Sequence, residues 1–174
     1  MTSHIHMASN ALSGTLPLRF RERANARTGV ADVLVFRLGA ERFAVDLQSV
    51  DETIEAPEVH EVGGTAPTIL GVFRHGAQLL TLYDTASVLG MRREAAGPLS
   101  ALVMRGGGRR IGLAVGDVED VVKLDLSLLR DVPDGVWDDE LLLGLFVRDG
   151  LLVALVDARS LISACQTPSI PEAL

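Results

Sequence analysis

Asp84 and Asp157 are the first residues to weigh as chemistry. They end two matching aliphatic runs, Leu79-Leu80-Thr81-Leu82-Tyr83-Asp84 and Leu152-Val153-Ala154-Leu155-Val156-Asp157. A facing pair of carboxylates is a minimal set for acid and base catalysis. Each aspartate, however, directly precedes a short helical segment, where a carboxylate accepts from unpaired N–H groups of the first turn. Both are read as helix caps. Cys165 is the single cysteine, so neither an internal disulfide nor a cysteine metal cluster can form. No histidine stands at a spacing that would activate its thiol. Gly106-Gly107-Gly108 sits between two strand-like runs with no Lys-Ser/Thr behind it, which makes it a turn and not a phosphate cradle. Asp131, Asp134, Asp138, Asp139 and Glu140 lack calcium-loop spacing and read as a solvated loop. Trp137 within it is the only tryptophan; it is either a plug on the fold or an interface anchor. No catalytic, metal or cofactor site is expected, and the chain is not expected to be an enzyme.

The bulk properties exclude other classes. Hydrophobic residues make up 48% of the 174 residues and aromatics only 4%, so the core must be aliphatic. The formal net charge is −7. Four arginines, Arg19, Arg21, Arg23 and Arg27, crowd residues 1–30 against Glu22 alone; the remainder has 12 basic and 22 acidic residues, a net charge of −10. Such a domain repels phosphate backbones, so no nucleic-acid partner is expected. No apolar run is long enough for a membrane helix, and no signal-peptide core is present, so a cytoplasmic location without direct membrane insertion is expected. Residues 1–30 read as a disordered Arg-rich tail. Part of it, around Ser3-His4-Ile5-His6-Met7, resembles cloning-linker sequence, and His4 and His6 are read as tail residues and not metal ligands.

The elements that remain occur twice. With a shift of 68, Leu34-Val35-Phe36-Arg37 falls on Leu102-Val103-Met104-Arg105, Arg42-Phe43-Ala44-Val45 on Arg110-Ile111-Gly112-Leu113, and Val50 on Val118. With a shift of 73, Gly71-Val72-Phe73 meets Gly144-Leu145-Phe146, Asp84 meets Asp157 and Ser87 meets Ser160. Internal repeats redefine the fold question. In the first copy, Val33–Leu38 and Arg42–Asp46 predict a hairpin, Gln48–Glu52 a short helical stretch, and Thr53–Val62 an extended segment broken by Pro57. Gly63–Pro67 is a turn. Ile69–Phe73 and Leu79–Tyr83 predict a second hairpin around Arg74-His75-Gly76, and Asp84–Leu89 a helix stopped by Gly90. The second copy repeats the order: strands at Ala101–Met104 and Arg110–Ala114, a helical element at Asp117–Val121, an extended Val122–Leu129, strands at Leu142–Val147 and Leu151–Val156 about an Asp149-Gly150 turn, and a helix over Asp157–Ala164. Short apolar strands in this number favour small closed barrels.

In order and spacing these motifs resemble the CheW-like domain. Val33–Leu38 with Gly39 and Glu41-Arg42-Phe43-Ala44-Val45 is similar to that family's opening hairpin. Val50-Asp51-Glu52 resembles its V-x-E element. Gly71 to Asp84, 13 residues apart, resembles its Gly-to-Asp segment. The resemblance covers about residues 31–164. It implies an all-β fold with short helices: two pseudo-symmetric five-stranded SH3-like β-barrels sharing a hydrophobic core. The expected organisation is one domain over 31–174, with barrel subdomains of roughly 31–90 plus 156–164 and 100–155.

The resemblance also implies a chemotaxis adaptor, recruited to membrane receptor arrays. Its implied partners are the regulatory domain of a histidine kinase, the cytoplasmic hairpin of a methyl-accepting chemoreceptor, and other CheW-like proteins; a monomer is the default for the isolated chain. The partner-binding residues expected are Val50, Glu52, Ile54, Ile69, Leu70, Val72, Arg74 and His75. One departure stands out. The family's N-L-R-G turn reads Arg74-His75-Gly76-Ala77, with Gly76 at the arginine position and Thr81 at the usual proline. This motivates an alternative: a divergent member that binds kinase or CheW-like partners without receptor coupling, in a pathway such as surface motility. A small-molecule or enzymatic barrel is the rival from another class. It would need convergent polar groups, and His60, His75 and scattered carboxylates are all the sequence offers.

Overall fold

The computed structural model describes residues 28–92, 99–106, 108–135 and 140–167. The N-terminal arginines, Trp137, Asp138, Asp139 and Gly107 lie outside the described residues.

Eleven strands run in chain order: β1 (Val30–Leu38), β2 (Glu41–Asp46), β3 (Val50–Glu55), β4 (Val59–His60), β5 (Ile69–His75), β6 (Gln78–Asp84), β7 (Ser100–Gly106), β8 (Arg109–Val115), β9 (Val118–Asp125), β10 (Leu142–Arg148) and β11 (Leu151–Val156). Among the described residues two α-helices follow the two copies, α1 (Thr85–Val88) and α2 (Ala158–Gln166). The expected hairpins are present. β10 and β11 turn through Asp149 (φ 51°) and Gly150 (φ 74°), a left-handed pair that matches strand twist.

Two expected helices are corrected. Gln48–Glu52 is a 3₁₀ turn at Leu47–Ser49, capped by the Asp46 carboxylate accepting from Gln48 N–H at 3.0 Å. From Val50 the chain is already β3. Asp117–Val121 is the start of β9, and its 3₁₀ turn comes later, at Leu126–Leu128. In both places pairing with a strand of the other copy supplies the backbone partners. Val50–Glu55 pairs with β7 and Val118–Asp125 with β1, and these partners outweigh weak local helix propensity.

The strands form two sheets, in the orders β10-β11-β2-β1-β9 and β3-β7-β8-β6-β5-β4. Under the repeat correspondence the two orders are the same, with the short β4 added to the second. Each sheet takes a hairpin from one copy (β1-β2 or β7-β8) and the remaining strands from the other. Within each sheet the two copies join through a parallel pair, β11 with β2 in the first and β6 with β8 in the second. The structure therefore divides as 30–46 with 118–156 against 50–84 with 100–115, where the sequence reading had kept each barrel mostly within one copy. Shape complementarity between copies is invisible to a self-alignment.

Each sheet curls back on itself. The chain leaving β3 continues as β4 and pairs with β5; the chain leaving β9 reaches Arg130, whose N–H and C=O exchange bonds with Leu145 on β10, both at 2.8 Å. A bulge at Gly71 and its counterpart at Gly144 make room for this return. A Cβ on Gly71 (φ 150°) would lie 2.2 Å from His60 O, and one on Gly144 would lie 2.8 Å from Arg130 O.

β1 is buried on both faces. Val33 and Val35 point into the first barrel with Ala44, Phe146 and Leu155. Leu34, Phe36 and Leu38 point into the seam between barrels, where they meet Leu102, Met104, Leu113 and the buried side of α2. β7 repeats the arrangement: Ala101 and Val103 fill the second barrel with Phe73 and Leu82, and Leu102 and Met104 fill the seam. Phe36 and Phe43 stack there at 6.1 Å.

Gly71→Ala is expected to destabilise the fold by about 3 kcal/mol, because backbone and not a flexible side chain must move. Gly76→Ala, in open space at φ 59°, is expected to cost about 1 kcal/mol from the left-handed backbone alone. Urea titration of both variants measures the difference; equal losses would show that the β4 return does not crowd Gly71.

Candidate functional site

The eight expected partner-binding residues fall on two strands of the second sheet, Val50, Glu52 and Ile54 on β3 and Ile69, Leu70, Val72, Arg74 and His75 on β5. These strands are far apart in strand order, and curling of the sheet brings their ends together. His75 Nε2 and Glu52 Oε2 are hydrogen-bonded at 2.6 Å. Val50 and Ile69 are half-buried against the seam, and Ile54 and Leu70 against the second barrel's core. The bulge at Gly71 sets the rest of β5: Phe73 points in, while Arg74 is exposed and Val72 partly so. The apolar members thus present edges only, and the exposed polar members are Arg74 and Glu52. The eight do not form one continuous apolar groove.

Ion pairs that individual motifs did not announce lie beside them. The Asp51 carboxylate, on β3, is held by Arg105, and Arg110 Nε lies 2.9 Å from its Oδ2. At the repeat-equivalent places, Glu119 on β9 meets Arg42 Nε at 3.1 Å and Arg37 Nε at 3.9 Å. The Glu52–His75 pair likewise has a counterpart, Asp120 with Arg148 at 2.8 Å. The Arg148 hydrogen bond, helped by the Val121 N–H, holds Asp120 below the usual carboxylate range. In every case the acid comes from one copy and, for Asp51 and Glu119, its arginines come from the other. The signal was available in the 68-residue shift, which lays Arg37 on Arg105, Arg42 on Arg110 and Asp51 on Glu119.

The copies differ where they face solvent. Val147, Leu152 and Val121 on the first barrel are 61%, 49% and 46% exposed. Their equivalents on the second barrel are Arg74, Leu79 and Thr53. Leu79 is itself 66% exposed, so the outer surfaces differ at two of these three places, where Val147 and Val121 stand against Arg74 and Thr53. Exposed apolar side chains mark protein contacts when they are contiguous, as Val147 and Leu152 are across β10 and β11.

The candidates for catalysis fall into structural places. Asp157 accepts from Ser160 N–H at 3.4 Å and from its hydroxyl at 3.0 Å; Asp84 accepts from the Ser87 hydroxyl at 2.7 Å. Asp157 caps α2 as expected, whereas Asp84 stands at the N-cap position of α1 with its carboxylate on the Ser87 hydroxyl and no side-chain bond to the helix backbone. Among the described residues no group of three or more His, Cys, Asp or Glu is placed to hold a metal ion. Cys165 is buried in the seam, and burial pushes its thiol up to about 12 from 9.0. Burial, with Cys165 beside it, also raises the Tyr83 hydroxyl. No helix among the described residues is long and apolar enough to cross a membrane.

The raised thiol has a pH consequence. In the unfolded chain Cys165 ionises near pH 9, while the folded chain keeps the proton until about pH 12. Its contribution to stability is complete below pH 9 and is lost as pH rises through that window. Urea midpoints measured from pH 8 to 11 are expected to fall, with a shallower fall in Cys165→Ala. Parallel profiles for the two proteins would show that the thiol does not set the slope.

Comparison with known proteins bears on this geometry directly. The family model described as CheW-like domain matches residues 32–166. Among solved structures, the scaffolding protein TtCheW from Thermoanaerobacter tengcongensis superposes with a TM-score of 0.69 at 18% identity, over 76% of this chain and 88% of that one. Among curated proteins the comparison finds no match. The two-sheet fold is thus shared with that scaffolding protein, and by the match over residues 32–166 the chain belongs to the CheW-like domain family.

Proposed function

We propose that the protein is a chemotaxis-type signalling adaptor that couples chemoreceptors to a histidine kinase by docking both at once. The observation that carries this reading is the CheW-like match spanning both copies, on a body whose two barrels share one core and present different outer surfaces. A rigid body with two unlike faces can relay the position of one partner to another. Individual contacts need only be weak, because an array multiplies them.

The surfaces suggest a division of roles. The exposed Val147–Leu152 pair on the first barrel suits another β-barrel, such as the kinase's regulatory domain or a second CheW-like protein, since buried apolar area drives such contacts. The strip of Val50, Glu52, Ile54, Leu70 and Arg74, with His75 anchored on Glu52, suits an amphipathic receptor helix: apolar edges for its hydrophobic side, charges for its flank. The alternative of a receptor-uncoupled member is favoured by one observation. Gly76 occupies the turn at φ 59°, where the family's motif has arginine, and the nearest arginine in the sequence is Arg74.

Titrated pull-downs of the full chain against two baits test both readings. One bait is the regulatory domain of a histidine kinase from the same genome; the other is a cognate receptor hairpin. Binding to both is expected, with Val147→Glu weakening the kinase bait about tenfold and Arg74→Glu weakening the receptor bait about tenfold, as loss of a central interface residue does. Binding to the kinase alone selects the uncoupled reading. Binding to neither bait, with both competent against a standard coupling protein, overturns both.

A further inference from the structure

The two parallel strand pairs that join the copies are not equally closed. In the first barrel β11 and β2 are paired from Val153↔Arg42 to Val156↔Val45. The equivalent ladder in the second barrel would run from Leu80↔Arg110 to Tyr83↔Leu113. It begins only at Leu82↔Gly112 and runs one rung further at the other end, to Asp84↔Ala114. The two rungs at Leu80 and Thr81 are absent, and β6 and β8 splay apart toward their N-terminal ends. The opening is a groove of about 880 Å³ lined by Gln78, Leu79, Thr81, Arg109, Arg110 and Gln166, among others. Pairing to β5 and β7 occupies one edge of each strand. The edges that face one another across the groove are left without the ladder bonds their counterparts make.

The charge in this groove has one sign. Among the described residues no acidic side chain lines it, on a chain of net charge −7. Arg110 is engaged by Asp51. Arg109 is exposed and has no ion-pair partner among the described residues; its repeat equivalent is Glu41, so the cation is a property of the open side only. Unpaired strand edges accept an extended segment through its backbone, and neighbouring side chains then select its composition. A guanidinium at the mouth selects carboxylate.

We infer that the β6/β8 groove is a docking site for an extended acidic segment of a partner protein, which adds to the splayed strand edges and places a carboxylate on Arg109. The groove borders the Glu52–His75 strip, since Gln78 is the cross-strand partner of His75 and Arg110 pairs with Asp51, but its own lining holds none of the eight expected partner-binding residues.

The probe is a fluorescein-labelled hexapeptide alternating valine and glutamate, with the valine and lysine version as its opposite. Both are titrated into the full chain by anisotropy, and backbone amide exchange is followed with and without peptide. The glutamate peptide is expected to bind saturably, to slow exchange within Gln78–Leu82 and Arg109–Gly112, and to bind about tenfold more weakly to Arg109→Glu, the usual scale for a lost charge-assisted bond. Glu41→Arg, at the equivalent position beside the closed ladder, is expected to leave binding unchanged. The inference is overturned if the glutamate peptide does not bind, if the lysine peptide binds as well, if Arg109→Glu binds as tightly as the parent chain, or if protection appears on other strands. Circular dichroism of each variant separates loss of the site from loss of the fold.

Discussion

Neither copy of the repeat can bury its own first strand. Leu34, Phe36 and Leu38 on one face of β1, and Val33 and Val35 on the other, all need apolar neighbours. A single curled sheet has only one interior. The second copy resolves this by supplying strands that complete the barrel on one side and a matching β7 that closes the seam on the other. Each buried side chain of this size contributes about 2 kcal/mol relative to exposure, so the doubly buried strands are the largest concentrated source of stability in the molecule. Strand order, the parallel joints and the placement of both helices over the seam follow from that requirement.

The ion pairs refine what burial begins. Apolar packing is tolerant of small slips along a strand, and a one-residue slip would reverse every inward side chain. Asp51 between Arg105 and Arg110, and Glu119 beside Arg37 and Arg42, attach an edge strand of one copy to the hairpin of the other at a fixed register. Exposed pairs contribute little energy. Their value here is positional: they mark the correct alignment where two chains of similar pattern could be mismatched.

Much of this was legible in the sequence, and the limits are instructive. The hairpins, the Asp157 cap and the all-β character were readable because turn residues and caps act locally, while Asp84 reaches only the Ser87 hydroxyl. The family resemblance was readable because glycines and aspartates recur at fixed spacing. The helical reading of Gln48–Glu52 failed because its backbone partners lie on β7, some fifty residues away. The division into barrels failed for the same reason, since strand exchange leaves the local pattern of each copy intact. Of the eight site residues, the sequence placed Glu52 and His75 on separate elements; only the curl of the sheet joined them. The half-buried state of Val50, Ile54, Ile69 and Leu70 depends on what packs beneath them, which periodicity does not carry.

The exchange of strands also separates two units that usually coincide. The unit that repeats in the sequence is a half-chain, while the unit that closes in space draws on both halves. A half-chain on its own would expose the inner faces of two unfinished barrels and complete neither. Two identical half-chains could finish each other only by trading hairpins, as an intertwined homodimer. In one tandem chain the two copies need not match, and here one holds Arg109 where the other has Glu41, and one parallel ladder starts two rungs later than its sister's.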